Sequence, residues 1–179
     1  MSVVRPNALQ RAAQRGYARL PRPVRLALVR AITPSHTLGA LCFLECEGRV
    51  LMLRQRHRRG WTLPGGFVNR GETAAQAVCR EVLEETGLVI EAGSPLTTVV
   101  DPRYRRVDVI FHVPVDREVA VVPASEATTA QWREPAAAGL GDTSTAMAFE
   151  AFGRARRAGA QAGRLLDPPT AKLSDPPTA

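Results

Sequence analysis

The chain has 179 residues, 45% of them hydrophobic and 23% charged. That is enough to bury roughly 70% of the unfolded surface without a disulfide or metal staple, and the composition is that of an ordinary globular domain. No apolar run approaches the ~20 residues of a spanning helix, so an integral membrane protein is not expected. No secretory leader is legible, Arg30 interrupting the stretch from Leu26 to Ile32, and the expected location is the cytoplasm. The net charge of +7 is concentrated in one place: residues 1–35 carry seven arginines and no acid, so the remainder sums to zero.

In chain order, residues 1–35 read as a basic helical extension. Asn7 to Arg19 is helix-permissive, Pro21 and Pro23 interrupt it, and Val24, Leu28 and Ile32 then recur at i, i+4 and i+8. From Thr37 the period changes. Thr37 to Cys46 has the pattern of a buried strand, Glu47-Gly48 of a turn, and Arg49 to Leu53 of its hairpin partner. Cys42 and Cys46 on one strand would stand about 13 Å apart, too far for a disulfide. Gln55 to Gly60 reads as a basic loop, and Trp61 to Val68 as short extended chain around Pro64-Gly65-Gly66.

A helix from Ala74 to Thr86 has readable ends: Thr73 and Gln76 form a capping box, and Gly87 stops it. Leu96 to Asp101 and Val107 to Val115 suit strands, Pro123 to Ala130 a loop, and Thr143 to Ala158 a last helix ended by Gly159. The repeated pentamer Asp-Pro-Pro-Thr-Ala, at 167 and 175, marks residues 161–179 as a proline-rich tail that is expected to be disordered.

On the helix 74–86, Ala75, Val78, Val82 and Leu83 gather on one side and Glu81, Glu84 and Glu85 on the other. Three like charges at i, i+3 and i+4 repel, and two of them lie near the helix C-terminus, where the dipole disfavours anions. A solvated acidic face partnered by Arg80 is one reading. The other is a cation site, because clustered carboxylates are hard ligands for Mg²⁺ or Mn²⁺. Gly65-Gly66 just upstream permits close backbone approach, which suits phosphate chemistry.

Gly66, five residues, Glu72, seven residues, then Arg80-Glu81-Val82-Leu83-Glu84-Glu85-Thr86-Gly87-Leu88 resembles the complete Nudix box, and Leu63-Pro64-Gly65 before it fits the same family. The resemblance implies an α/β (α+β) fold, a mixed β-sheet between helices in an α/β/α sandwich, over residues 36–160. It also implies Mg²⁺-dependent hydrolysis, with Mn²⁺ as a substitute, of a nucleoside diphosphate linked to another moiety: ADP-ribose, a dinucleoside polyphosphate, a nucleotide sugar or a (d)NTP. Carried over by position, Glu81, Glu84 and Glu85 would hold the metal, with the Gly66 carbonyl as a further ligand. Glu81 would also be a candidate to activate water, and Arg80 and Glu72 would brace the glutamates. Glu126, six residues before Trp132, resembles a loop glutamate that serves as metal ligand or base in many members.

The substrate is less legible. Arg56 and Trp61 in and beside the basic loop are candidates for phosphate contact and base stacking, set against a solvated loop with Trp61 partly in the core. Tyr104, 16 residues beyond Leu88, resembles a dinucleoside-polyphosphate tyrosine, while Pro102, 14 beyond it, falls short of an ADP-ribose-type proline. His36, His57 and His112 have no zinc-like spacing with the cysteines. The arginine-for-lysine bias points to a bacterial source. The expected partner is a small nucleotide, with two further expectations for residues 1–35: packing on the domain or across a homodimer, or weak contact with nucleic acid or an anionic surface. A nucleotide-binding regulator without hydrolytic activity and an RNA 5′-pyrophosphohydrolase are the alternatives.

Overall fold

The strand that begins at Thr37 is the axis of the fold. In a computed structural model that describes residues 16–135, 139–141, 143–159 and 163–165, the chain divides into two units, 1–36 and 37–179. The first contains α1 (Arg22–Ile32). Pro23 does not interrupt this helix; it sits in the first turn, where no backbone donor is needed. Most of the expected helix from Asn7 lies outside the described residues, and so does nearly all of the proline-rich tail.

The second unit runs β1 (Thr37–Cys46), β2 (Arg49–Gln55), β3 (Gly65–Phe67), α2 (Ala74–Thr86), β4 (Ile90–Glu91), β5 (Thr97–Asp101), β6 (Arg106–Pro114), β7 (Ala127–Arg133), α3 (Thr143–Arg157) and β8 (Arg164–Leu165). The main sheet has the order β5-β6-β1-β2-β7, with β3 also on β1. β1 runs parallel to β6 and antiparallel to β2 and β3, so the sheet is mixed. The turn between β1 and β2 places Glu47 at φ 46° and Gly48 at φ 83°, the left-handed pair a tight hairpin requires.

Both faces of β1 are covered, and so its sequence is a nearly continuous apolar run. Ala40, Cys42, Leu44 and Cys46 pack with Val78 and Val82 of α2. Leu41 and Phe43 pack with Ala148, Ala151 and Phe152 of α3. Phe43 stacks on Phe152 with ring centroids 4.0 Å apart and meets Phe149 edge-on at 4.8 Å. The three cysteines are free thiols, and burial pushes the Cys42 thiol far above its ordinary range.

Three elements depart from the sequence expectation. The stretch expected as a loop over 123–130 enters strand β7 at Ala127, where polar, threonine-rich residues pair with β2 at the sheet edge. Arg164 and Leu165, expected within the tail, pair with Glu91 and Ile90, and the Gly163 amide donates to the His112 carbonyl. Leu83, expected on the packing face of α2, is 48% exposed.

Candidate active site

β1 shares one edge between two partners. Near its end Glu45 and Cys46 pair with β2, whereas Gly39, Ala40 and Leu41 pair with Phe67, Gly66 and Gly65 of β3. The chain between β2 and β3 leaves the sheet and returns, so that the end of β2 and the glycine pair converge on α2. Gly65 holds φ +139°, and a β-carbon there would lie 2.2 Å from the Ala40 carbonyl oxygen. A β-carbon on Gly66 would meet the Glu81 carboxylate at 2.3–2.9 Å. Both glycines are therefore fixed by close approach, the second by a site residue.

The helix α2 starts and stops as its sequence requires. Thr73 Oγ1 accepts from the Gln76 amide at 3.2 Å, Gln76 Oε1 accepts in return from the Thr73 amide at 2.9 Å, and Gly87 ends the helix at φ 72°. Between them Arg80 organises the acids. Its Nε and Nη2 donate to the two oxygens of Glu72 at 2.9 and 3.1 Å, a bidentate pair. Its Nη1 donates to Glu81 Oε1 at 2.8 Å and Glu84 Oε2 at 3.3 Å, and Nη2 reaches the Phe67 carbonyl at 3.1 Å. The bonds from Arg80, with one from the Asn69 amide, hold the Glu72 carboxyl below its usual range, and the Glu72 and Glu81 bonds raise the basicity of Arg80.

Glu85 behaves differently from its neighbours. Only 4% exposed, it accepts from Gln55 Nε2 at 2.6 Å and from the Gly65 amide at 2.9 Å. Burial raises its carboxyl from 4.5 to about 7 against the pull of those two bonds, with the nearby Glu81 charge adding to the rise. The helical period contains the signal for this burial: Glu85 stands seven residues after Val78 and so within about 20° of it on the helix. The reading of a solvated acidic face therefore does not hold for Glu85. Gln55, read from sequence as the start of a basic loop, instead ends β2 and is missing from the expected site. Its Oε1 is buried with no hydrogen-bond partner.

Glu81, Glu84, Glu85, Arg80 and Gly66 line one cleft of about 460 Å³, together with Gln55, Arg58 and Glu126. Glu126 precedes β7 on a loop fastened to α2 by a bond from the Ala124 amide to the Glu85 carbonyl, and its Oε2 lies 3.5 Å from His57 Nε2. A second cleft of about 420 Å³ shares Arg58 and Phe67 with the first and adds Tyr104, Arg106, Asp101 and Ser144. Tyr104 is 74% exposed there. Two substrate-side expectations are not met. Trp61 is 6% exposed, packed in the α3-side core with the Arg54 and Arg133 guanidinium groups 5.1 and 4.7 Å from its ring centre. Arg56 is exposed and lines neither cleft, and Arg58 stands in both.

Among the described residues no three His, Cys, Asp or Glu side chains stand as a ready-made metal cluster, because Arg80 and Gln55 engage the carboxylates. The donor set nevertheless fits a hard divalent cation. Four carboxylates, three of them on α2, and a glycine backbone line one cleft, Glu85 among them is buried, and an orphaned amide oxygen stands beside it.

Comparison with known proteins agrees with this geometry. The model of the NUDIX domain matches residues 35–151. An ADP-ribose pyrophosphatase of Methanocaldococcus jannaschii is 36% identical over 75 residues, which cover 38% of this chain and 44% of that protein, so the chain spans less than half the length of this relative. Among solved structures, a MutT protein from Methanosarcina mazei Go1 superposes with a TM-score of 0.57 at 25% identity, covering 71% of this chain and 97% of that one. The NUDIX domain of Shewanella oneidensis NrtR, complexed with ADP ribose, superposes with a TM-score of 0.60 at 20% identity over 78% of this chain and 99% of that one. With well over half its length matched, and with the braced glutamates of α2 inside the matched region, the chain belongs to the NUDIX domain family of hydrolases.

Proposed function

We propose that the chain is a divalent-cation-dependent pyrophosphohydrolase whose substrate is a nucleoside diphosphate linked to another moiety. The observation that carries this reading is the placement of Glu81, Glu84, Glu85 and Gly66 on one cleft, with Arg80 and Glu72 holding the acids in place. Mg²⁺, or Mn²⁺, would be held by those three carboxylates and the Gly66 carbonyl. When bound, such an ion supplies electrostatic stabilisation of the phosphate oxygens. Arg80 orients Glu81 and Glu84, and Gln55 with the Gly65 amide orients Glu85. The proton of the attacking water goes to one of two carboxylates on the cleft, Glu81 or Glu126. The adjoining cleft suits the remainder of the substrate: Arg58 stands where the two meet, and Phe67 and Tyr104 offer aromatic faces.

The test is a turnover panel over ADP-ribose, dinucleoside polyphosphates, nucleotide sugars, (d)NTPs and 5′-triphosphorylated RNA, with Mg²⁺ and with Mn²⁺. Hydrolysis should require the cation and fall by orders of magnitude in Glu84→Gln with the fold intact. Glu81→Gln and Glu126→Gln separate the two proton acceptors by the shape of their pH–rate profiles. Binding of nucleotides without turnover of any member of the panel would instead make the chain a nucleotide-binding regulator.

A further inference from the structure

We propose that α1 is an interfacial anchor that lies on an anionic lipid bilayer. Two features of the helix coincide. No residue of α1 is buried, and Val24, Leu26, Leu28, Val29 and Ile32 are exposed, Ile32 by 74%. At 100° per residue Val24, Ala27, Leu28, Ala31 and Ile32 cover an arc of about 140°, with Arg22, Arg25 and Arg30 outside it, as are Leu26 and Val29. The second feature is charge. Seven arginines precede residue 36 and the first acid of the chain is Glu45, so the segment is cationic with no internal compensation.

Three kinds of partner could answer these features, and one answers both. A nucleic acid satisfies arginines through its phosphates but leaves the arc of Val24, Leu28 and Ile32 in water. A second copy of the helix covers the apolar side chains but brings like charge against like charge. An anionic bilayer takes the apolar arc into its acyl boundary and presents lipid phosphates to the guanidinium groups beside it. The helix lies on such a surface and does not cross it. Its 11 residues are about 16 Å long, half the ~30 Å of a hydrocarbon core, and no helix among the described residues is long and apolar enough to span.

The experiment is co-sedimentation of the full chain with phosphatidylcholine vesicles with and without phosphatidylglycerol. The expected result is binding to the anionic vesicles alone, weakening as salt is raised from about 0.1 to 1 M and the Debye length falls from about 10 to 3 Å. Each arginine at the surface contributes about fivefold in affinity, so the triple variant Arg22→Gln, Arg25→Gln, Arg30→Gln should bind about a hundredfold more weakly. The double variant Leu28→Asp, Ile32→Asp should lose the vesicles too, and unchanged melting of both variants shows that the body is folded. Equal binding to both vesicle types, or no binding, overturns the proposal. So does vesicle binding that survives in the Leu28→Asp, Ile32→Asp variant, since the apolar arc would then be idle. Binding to RNA without binding to vesicles reassigns the arginines, and a dimer that dissociates in the Leu28→Asp, Ile32→Asp variant without vesicle binding reassigns the apolar face; either result refutes the bilayer.

Discussion

Replacing Glu85 by glutamine should stabilise the cation-free protein. The folded chain holds this carboxyl at about 7 against an ordinary 4.5. At about 1.4 kcal/mol per tenfold in proton affinity, keeping it ionised above pH 7 costs the fold about 3 kcal/mol. The sign is that of a raised carboxyl: stability falls as pH rises from 4.5 through 7, and the cost vanishes below 4.5, where folded and unfolded chains are both protonated. The introduced amide can keep both present bonds. Its oxygen accepts from the Gly65 amide, and turning over the Gln55 amide lets the orphaned Oε1 accept from its nitrogen. That cost is already net of the two charge-assisted bonds, so the gain at pH 8 is the whole of it, about 3 kcal/mol, or about 6–12 °C in Tm. Thermal melting with a chelator at pH 8 and at pH 4.5 measures it: E85Q should melt higher at pH 8 and level with the parent at pH 4.5. Adding Mg²⁺ should reverse the order at pH 8, because the parent binds the ion and the variant has lost a ligand. An E85Q protein that melts lower than the parent at pH 8 with chelator, or whose gain is the same at both pH values, refutes the argument.

Arg80→Lys supplies charge without the bidentate fork and should cost about 10–100-fold in turnover or cation affinity, measured from the cation dependence of the rate; an unchanged rate would show that Glu81 and Glu84 need no brace. Gly66→Ala drives a β-carbon into the Glu81 carboxylate. It should fold and lose about a hundredfold in activity, and parental kcat in that variant would remove Glu81 from the chemistry. His112, with Nε2 2.8 Å from Glu45 Oε2, is held below its ordinary 6.5 by burial, which outweighs the carboxylate. Its contribution is complete above the ordinary 6.5 and is lost as pH falls, so the parent should lose stability against His112→Gln as pH drops below about 6.5 in denaturant titrations; parallel curves would contradict the assignment.

The parts of this site that the sequence makes legible are those written locally. The capping box, the stop at Gly87 and the apolar run of β1 each occupy a few consecutive residues, and the structure reproduces those elements at the same boundaries. The glutamates of α2 and their brace were legible through the spacing of the box. What escaped depends on partners far along the chain. Gln55 joins the site only because β2 runs two residues further than its apolar pattern and ends opposite Glu85, 30 positions away. Trp61 sits in the core because Leu63 and residues of α3 come to cover it, an enclosure no neighbouring residue announces. β7 carries no apolar alternation because it is an edge strand whose pairing with β2 is made by backbone.

The two-partner edge of β1 has a consequence for how this molecule could change over generations. The groups proposed to hold the cation hang from β3, which is paired with the most central strand, and from the helix packed on that strand, where a shift of one element disturbs the core. Arg58 and Tyr104 hang from two separate connections at the rim. Insertions in those connections leave the register of Gly65 and Gly66 on β1 untouched. If the second cleft receives the substrate as proposed, drift there rewrites which leaving group is accepted while the hydrolytic apparatus stays constant, and a graft of foreign sequence over 56–60 or 102–105 is the place where new substrates would be acquired first.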